Sequence, residues 1–297
     1  MIKKGEVMGQ YYRFINIDKK EKCDRSQGLL KLKEHSYLEN EYCIDILSLL
    51  SDKWKGDRVI HVGDYAQGND GTSTSKLIGK IEKENKVKYS VYEWGEKCKE
   101  VSPNKINNNI RYVYNLDRKE YIDLVRQPIQ WFCLENNKIY FAKFNSFALL
   151  VGCGNEQGGG DYYDINKKRI GLWAGDRLVS SDSLINEYSN FIETRYIFDD
   201  TLELSRRIKN INEKTEKQIL NAEGTMLKKF LERNSNFNKI DLLKINIDKK
   251  GLTENEYKHL NTVLYKFKKK ELNKQKIIEK NLKEIQEKQS DINEISM

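Results

Sequence analysis

Apolar residues in the first two thirds of the chain fall into short runs separated by polar segments. The stretch 8–18 alternates as an opening strand does, and 28–35 is predicted as a second strand. Between 39 and 50 the apolar residues follow helical spacing, which predicts a helix. Five further runs rich in Tyr, Val, Ile and Phe predict a sheet-forming region. They lie at 89–92, 111–114, 129–134, 138–144 and 147–151, and Asn136-Asn137 predicts a hairpin turn between two of them.

A tryptophan followed by x-Gly-Asp-Arg and then by an apolar run occurs twice. The first copy, Trp54–Arg58, leads into 59–63, and the second, Trp173–Arg177, leads into 178–179. A Gly-Asp pair favours a tight turn, because glycine accepts positive φ and aspartate accepts hydrogen bonds from nearby amides. The β-branched run after each turn predicts a buried strand. Each copy is therefore predicted to be a turn that leads into a strand, with a large aromatic side chain anchored before it.

The pattern becomes helical in the last third of the chain. Over 201–234 and again over 253–290, apolar residues recur at steps of three and four, which predicts two long amphipathic helices. The connector between them, 235–252, has a segment at 241–247 with strand character.

We therefore predict an α+β fold with two parts. A mixed, sheet-containing body occupies 8–198, and a long two-helix, coiled-coil-like extension occupies 199–297. Long helices with a narrow apolar stripe need a partner, either each other or another subunit. We accordingly expect a homo-oligomer.

Charge separates the same two parts. The net charge is +8, and residues 201–297 carry 22 basic against 15 acidic residues, or +7, which leaves +1 for residues 1–200. A basic extension on a near-neutral body indicates an acidic partner surface or nucleic acid; the commoner alternative is a solvated helix face. No apolar run is long enough to span a membrane. The five cysteines are scattered and odd in number, which favours a reducing cytoplasm over a disulfide framework or a zinc site.

The two Asp-Arg turns supply the first candidate site. Asp57, Asp64, Asp176 and Asp182, together with Arg58 and Arg177, would line one cleft if the two tryptophan units lay side by side. Paired carboxylates serve as acid/base groups or cation ligands, and arginine binds phosphate through its two-pronged guanidinium. The alternative, which we favour, is that each aspartate caps its own turn and each arginine pairs locally. A repeated turn solves the same folding problem twice.

A glycine-rich stretch, 152–161, supplies the second candidate. Its residues Gly158, Gly159, Gly160 and Asp161 could bring backbone amides close to a phosphate, although the spacing matches no phosphate-binding loop and no helix follows at once. A flexible connecting loop is the favoured alternative. Cys153, at its start, is a candidate exposed thiol, with no neighbour that would activate it.

Histidines and lysines give weaker signals. The three histidines are too dispersed to predict a metal set; His61 is expected in the core, and with His35 it could form a pair of bases. Lys266, Lys268, Lys269 and Lys270, interleaved with aromatic residues, are candidate contacts to a partner or to nucleic acid. The favoured alternative places the aromatic residues inside the helix pair and the lysines on its wet face. We expect no cofactor and no metal.

Several motifs resemble an uncharacterised family of bacterial and bacteriophage proteins. They are Met8–Tyr12, Asn16–Lys20, Lys31–Ser36, Trp54–Ala66 and Gly158–Arg177. The resemblance covers about 8–182, implies a phage or mobile-element context and supplies no mechanism. Shorter members begin at the Met-Gly-Gln-Tyr-Tyr element, so Met8 is a candidate true start, and they lack the helical extension.

Two functions follow from these observations. The first is a non-enzymatic phage or mobile-element protein that binds and inhibits a host complex through an oligomeric assembly. An anti-phage defence system, such as a Gabija-type nuclease, is the most economical target. The second is an enzyme or sponge for a phosphorylated small molecule or nucleotide, which would use the Gly152–Asp161 loop and the Asp-Arg turns. We expect the first, in the host cytoplasm.

Overall fold

The computed structural model describes residues 10–24, 31–35, 40–155, 170–197, 206–209, 211–235 and 244–295. Within these residues the chain forms thirteen strands. They are β1 (Tyr12–Asn16), β2 (Glu21–Cys23), β3 (Val59–Gly63), β4 (Lys99–Glu100), β5 (Tyr112–Asn115), β6 (Glu120–Asp123), β7 (Ile129–Glu135), β8 (Lys138–Lys143), β9 (Gly152–Cys153), β10 (Leu178–Ser181), β11 (Ile192–Ile197), β12 (Arg206–Lys209) and β13 (Asn246–Ile247).

The same residues form seven α-helices. They are α1 (Leu32–His35), α2 (Glu41–Ser51), α3 (Ser75–Glu84), α4 (Val91–Glu96), α5 (Ser146–Leu150), α6 (Glu213–Ser235) and α7 (Glu254–Ile295). The strands assemble into three sheets, in the orders β4-β2-β1-β3-β9, β10-β5-β6-β11-β12 and β13-β8-β7. The predicted α+β class, with a long C-terminal helix pair, is confirmed.

Contacts divide the chain into two compact units. Unit 1 comprises 1–130 and 142–216, and unit 2 comprises 131–141 and 217–297. Unit 2 therefore takes the outer part of the β7–β8 hairpin together with β13, α7 and most of α6.

Unit 1 contains an internal repeat larger than the tryptophan turn. In the first copy, the β1–β2 hairpin pairs Asn16 with Glu21, and β3 then pairs with β1 so that Val59 faces Asn16. In the second copy, the β5–β6 hairpin pairs Asn115 with Glu120, and β10 pairs with β5 so that Leu178 faces Asn115. The two copies thus share strand order, direction and register, and the predicted turn-then-strand units are confirmed within them.

The first sheet is buried on both faces, which explains why β1 and β3 lack a polar alternation. On one face, Phe14 joins a large core with α2, α5 and the two tryptophans, Trp54 and Trp173. On the other face, Ile15 and Ile60 pack in a second cluster with residues of α3 and α4. Val113 and Ile122 of the second sheet enter the larger core, so both repeats share one apolar interior.

Three predicted strands are wrong. The residues 32–35, 91–92 and 147–150, expected in strands, are helical in α1, α4 and α5. Helix α4 begins where Ser90 accepts a hydrogen bond from the Glu93 amide at 3.2 Å, a capping signal that competes with the β-propensity of its Tyr and Val. The apolar run of α5 is short and wholly buried, and periodicity alone does not separate such a helix from a strand. Residues 28–30 lie outside the described part.

The first long helix also begins later than predicted. Residues 206–209, expected in a helix over 201–234, form β12 and pair antiparallel with β11. Helix α6 begins at Glu213, after Asn212 accepts a hydrogen bond from the Thr215 amide at 3.1 Å. Ladder pairing with β11 overrides the helical spacing of the sequence before that cap.

Unit 2 packs α6 and α7 beside a small sheet. Asn136 and Asn137 both have positive φ, 49° and 60°, which confirms the predicted hairpin turn between β7 and β8. Helix α7 begins with a reciprocal cap, in which the Glu256 carboxylate accepts from the Thr253 amide at 2.7 Å and the Thr253 hydroxyl accepts from the Glu256 amide at 3.3 Å. No helix in the described part of the chain combines the length and apolarity that a membrane crossing requires.

Candidate functional site

The two tryptophan turns of unit 1 lie side by side and bind each other through the backbone. Arg58 and Arg177 form an antiparallel bridge. Around it, the Gly56 amide donates to the Leu178 carbonyl at 2.8 Å, and the Gly175 amide donates to the Val59 carbonyl at 3.0 Å. Both glycines have φ near +75°, at 79° and 72°, which the tight turn requires. The two copies are thus joined about a local pseudo-twofold axis.

In the first copy, the charges of the turn bind the preceding hairpin. The Asp57 carboxylate accepts a hydrogen bond from the side-chain amide of Asn16 at 2.8 Å and forms an ion pair with Lys19 at 2.7 Å. Arg58 donates its backbone amide and its Nε to Asp18, both at 2.8 Å. The aspartate therefore closes the neighbouring hairpin, and the arginine pairs with that hairpin's aspartate.

The second copy repeats these contacts residue for residue. The Asp176 carboxylate accepts hydrogen bonds from the side-chain amide of Asn115 at 2.8 Å and from Nε of Arg118 at 2.7 Å. Arg177 donates its backbone amide to Asp117 at 2.7 Å and its Nε at 2.9 Å. We call the whole set the Asp-Arg seam; its members are Asn16, Asp18, Lys19, Asp57, Arg58, Asn115, Asp117, Arg118, Asp176 and Arg177.

The seam partners Asn16, Asp18, Asn115 and Asp117 were missed as candidates. Their signal is a second internal repeat, Asn-Ile-Asp-Lys-Lys-Glu at 16–21 and Asn-Leu-Asp-Arg-Lys-Glu at 115–120. It precedes both tryptophan units in the chain, although the interval to the tryptophan is longer in the second copy. A search for repeats would have found it beside the tryptophan motif.

Electrostatics at the seam favour fixed ion pairs. Burial works to raise the pKa of Asp18, but hydrogen bonds and charge from Arg58 outweigh it and lower that pKa below its ordinary value. Asp117 is affected in the same way by burial and by Arg177. Both carboxylates therefore stay ionised and bound at neutral pH. The sites where an anion or a cation would bind are filled by the chain's own charges.

Asp64 lies away from the seam. It follows Gly63 at the far end of β3 from Arg58, and its carboxylate accepts from the Tyr11 amide at 3.2 Å. Burial raises its pKa, and backbone hydrogen bonds oppose that shift. Asp182 likewise follows Ser181 at the far end of β10 from Arg177. The structure thus brings together four of the six predicted Asp-Arg candidates and leaves Asp64 and Asp182 at the far ends of their strands.

The glycine-rich stretch is described only at its start. Gly158, Gly159, Gly160 and Asp161 lie outside the described residues, as does Met8. Gly152 and Cys153 form β9, which pairs parallel with β3. The prediction of an exposed thiol is wrong: Cys153 is fully buried in the second core cluster, and burial raises its pKa to about 12. The thiol stays protonated and inaccessible to reagents.

His35 and His61 come together in the large core of unit 1. Their ring centroids lie 4.6 Å apart, and His61 stacks on Phe14 at 3.9 Å. Both are fully buried; burial lowers the pKa of His35 to about 3, and burial and the nearby His35 place that of His61 well below its usual value. Among the described residues, His61 has one hydrogen-bond contact, between Nδ1 and the Ala148 carbonyl at 3.3 Å. Both imidazoles are therefore neutral core groups.

The lysine cluster of α7 divides into two roles. Lys268 donates to the Ile245 carbonyl and helps to hold the β13 segment. Lys266 and Lys270 instead line a cavity between α6 and α7, across from Lys228. Lys269 is exposed and does not line it. The predicted wet face of the helix pair therefore contains a groove.

Helix α7 continues far beyond this groove with exposed apolar side chains. Ile278, Leu282 and Ile285, at steps of four and three, are 57%, 53% and 52% exposed. We call these three residues the distal stripe. Ile277, beside them, is also exposed. In the part of the chain that the structure describes, no packing partner covers this face.

Comparison with known proteins gave no further assignment: no family model, curated protein or solved structure matches this chain. Over the described ranges, no group of three or more His, Cys, Asp or Glu side chains is arranged to hold a metal ion.

Proposed function

We propose that this protein is a non-enzymatic interaction protein of phage or mobile-element origin that binds and inhibits a host complex. The proposed target is an anti-phage defence system in the host cytoplasm, of which a Gabija-type nuclease is the first to test. The proposal includes an oligomeric assembly built through α7. Its context rests on the motif resemblance, and its mechanism rests on the distal stripe.

The distal stripe carries the argument because a soluble helix does not normally expose an ordered apolar row. Its residues recur at the spacing that aligns side chains along one helix face. Full burial of one aliphatic side chain contributes about 1.5–3 kcal/mol, and these side chains are about half exposed. Covering the three would therefore contribute roughly 3 kcal/mol per helix, enough to favour association where charge and shape also match.

Reach supports the same use of α7. The helix runs unbroken from Glu254 to Ile295, and Phe267 is the last buried residue among its side chains described up to residue 286. At about 1.5 Å per residue, the segment 271–295 extends roughly 37 Å past that packed part. An extension of this length suits contact with a second protein.

Unit 1 fits the role of a rigid platform. Its candidate charges at the seam are each bound within 3 Å by charges or amides of the same unit. Such pairs fix the repeat against itself and leave no pair of carboxylates directed at a shared substrate position. This arrangement favours the interaction protein over the alternative enzyme or sponge.

Affinity capture from a bacterial lysate, analysed for bound proteins and bound nucleotides, tests the proposal. We expect the full chain to retain a defined host complex, and we expect a variant with Ile278→Ser, Leu282→Ser and Ile285→Ser to lose it. Serine has about the helix propensity of isoleucine and lies less than about 0.7 kcal/mol below leucine, so α7 should remain helical. The matched control, Lys280→Ala with Lys283→Ala, changes exposed side chains of the same segment and should retain the complex.

A second set of variants separates the two functions. Arg58→Ala, Arg177→Ala and Asp64→Ala, with folding verified by circular dichroism, should leave capture and inhibition largely intact. Retention of a nucleotide by the full chain, with loss of that nucleotide in these variants, would contradict the proposal and favour the enzyme or sponge.

A further inference from the structure

The cavity between α6 and α7 is an open groove of about 430 Å³ with a basic rim. Its floor is apolar, formed by Val263 and the buried Phe267, and the helical Gly224 lies against Val263. Its polar lining comprises Asn221, Thr225, Lys228, His259, Lys266 and Lys270. We call it the α6–α7 groove.

The groove exists because Gly224 lets α7 side chains approach α6. A Cβ at this position would lie 2.6 Å from Nε2 of His259 and 3.1 Å from Val263. The His259 ring hydrogen-bonds to the Leu220 backbone, and its pKa is lowered by burial and by Lys266. His259 is therefore a neutral, fixed wall of the groove, and the positive charge comes from lysines alone.

The three lysines of the rim face one another with little local compensation. Lys266 and Lys270 are one helical turn apart, where like charges repel. Among the described residues, Lys228 has a long ion pair with Glu232 at 3.9 Å, and neither Lys266 nor Lys270 has one. An apolar floor with unpaired cations around it suits an apolar ligand flanked by carboxylates.

The distal part of α7 has the opposite charge pattern from the part that lines the groove. Residues 257–276 contain seven lysines against a single acidic residue, Glu271, whereas 277–295 contain five acidic residues against three lysines. Glu279 and Glu284 are exposed and flank Leu282 of the distal stripe. The distal part of α7 thus has the apolar anchors and the carboxylates that the groove lacks.

We propose that the α6–α7 groove of one copy is occupied by the distal stripe of a second copy, reciprocally, in an antiparallel dimer. The inference rests on the assembly part of the proposed function and names its contact. It must act between copies, because α7 is one continuous helix and its distal part runs away from its own groove. A reciprocal exchange makes the interface isologous, as twofold dimers require.

The lengths of the two halves are compatible with this pairing. Residues 257–276 span about 30 Å and 277–295 about 28 Å at 1.5 Å per residue. A twofold axis near residue 276 brings Ile285 level with Phe267 of the partner copy and Leu282 level with Lys270. Glu284 then falls between the levels of Lys266 and Lys270, one turn of helix in which both lysines can reach its carboxylate.

Charge reversal in two separate variants tests the proposal on the full chain. Variant A has Lys266→Glu and Lys270→Glu in the groove, and variant B has Glu279→Lys and Glu284→Lys beside the stripe. Sedimentation equilibrium should show a wild-type dimer of twice 35.0 kDa, and each variant alone should raise the dimer Kd at least about tenfold, because like charges then meet at both contacts. An equimolar mixture of A and B should restore association, since both contacts regain opposite charges.

The control for variant A, Lys229→Glu with Lys269→Glu, makes the same charge change at exposed positions of α6 and α7 that do not line the groove. It should keep the wild-type Kd, and circular dichroism should confirm that all variants fold. If either variant fails to fold, one chain with all four reversals should dimerise as the wild type does, because its groove and stripe are again complementary.

Three outcomes would overturn the inference. They are a monomeric wild-type chain, variants that associate as the wild type does, and a mixture no more associated than its components. Tighter oligonucleotide binding by the wild type than by variant A, with association unchanged, would assign the groove to nucleic acid instead. If variant A loses association but still captures the host complex, the proposed function does not depend on this dimer contact. If only the stripe variant loses capture, the stripe binds the host complex and not the groove of a second copy.

Discussion

The Asp-Arg seam and the α6–α7 groove both concentrate charge, but they use it in opposite ways. At the seam, Asp57 and Asp176 each meet an amide and a cation of the same unit within 3 Å. In the groove, Lys266 and Lys270 have no such partner among the described residues. Paired charge fixes a fold, whereas unpaired charge around an apolar floor leaves binding energy for a ligand. The surfaces proposed for binding therefore lie in unit 2.

Removal of a buried tryptophan should give the largest change in the free energy of unfolding, and it tests whether unit 1 is a rigid, self-paired structure. Trp54 is fully buried and donates its indole N–H to Glu21 at 2.9 Å. Trp54→Ala should lower the free energy of unfolding of unit 1 by about 3–5 kcal/mol, because it leaves a large cavity. Trp173→Ala should do the same. Chemical denaturation followed by circular dichroism measures both.

Trp131→Ala provides the matched control, since Trp131 is 41% exposed in unit 2. It should change stability by less than about 1 kcal/mol. A Trp54→Ala variant as stable as this control would show that the first repeat does not depend on its aromatic anchor, and the view of unit 1 as a rigid platform would fail.

The buried histidine pair gives the next largest effect and should make unit 1 sensitive to acid. His35 and His61 have lowered pKa values when folded, so the unfolded chain binds more protons as pH falls below about 6.5. Their contribution to stability is complete above that pH and is lost as the pH falls. For His35 the loss is about 1.4 kcal/mol per pH unit down to its folded pKa of about 3, and His61 acts in the same direction.

Unfolding of the wild type and of His35→Leu, measured between neutral pH and pH 4.5, checks this prediction. The variant removes one of the two titrating groups, so its stability should fall less steeply, by about 1.4 kcal/mol per pH unit. Parallel curves for the two proteins would mean that His35 is not buried as a neutral group. The core of unit 1 would then contain a charge that the structure does not assign to it.

Much of unit 1 could be predicted from the sequence where the signal was local. The Gly-Asp turns at 56–57 and 175–176 and the Asn136-Asn137 hairpin follow from residues that tolerate positive φ. The hairpin turns at Lys20 and Lys119 also have positive φ, 54° and 53°, but lysine does not signal it. Those two turns are required by the contacts of Asn16 and Asn115, which only the repeat reveals.

The candidate sites could be predicted less well from the sequence, because each depends on contacts between segments that are distant along the chain. Pairing of Asp57 with Lys19 and of Asp176 with Arg118 shows that the seam's charges bind across hairpins, not within their own turns. The groove requires Gly224 to meet His259 and Val263, which no spacing rule specifies. The boundary predicted near residue 198 divides the chain at one point. The contacts instead define unit 2 from two segments, 131–141 and 217–297, of which the second contains α7 and most of α6.

A smaller effect should test whether the two seam copies are energetically equivalent. Asp57→Ala and Asp176→Ala each remove the acceptor of an asparagine amide and of a cation. The carboxylates are mostly buried, at 18% and 21% exposure, so each change should cost about 1 kcal/mol, with part of the ion-pair energy lost to solvent screening. Thermal unfolding should show equal losses within roughly 0.5 kcal/mol. A loss confined to one copy would mean that the two copies of the seam do not contribute equally to the free energy of unfolding.

The distal stripe should give the smallest effect on the folded monomer and the clearest one on assembly. Ile278→Ser, Leu282→Ser and Ile285→Ser replace exposed side chains, so each should change the unfolding free energy of dilute protein by less than about 0.5 kcal/mol. Association stabilises the folded state by mass action, so the wild-type Tm should rise with protein concentration, whereas the variant's should not. Equal concentration dependence in both proteins would place the assembly contact elsewhere. A stripe that affects Tm only through concentration would instead show that unit 2 keeps its apolar surface for binding, in contrast to the seam, where every contact is already made within one chain.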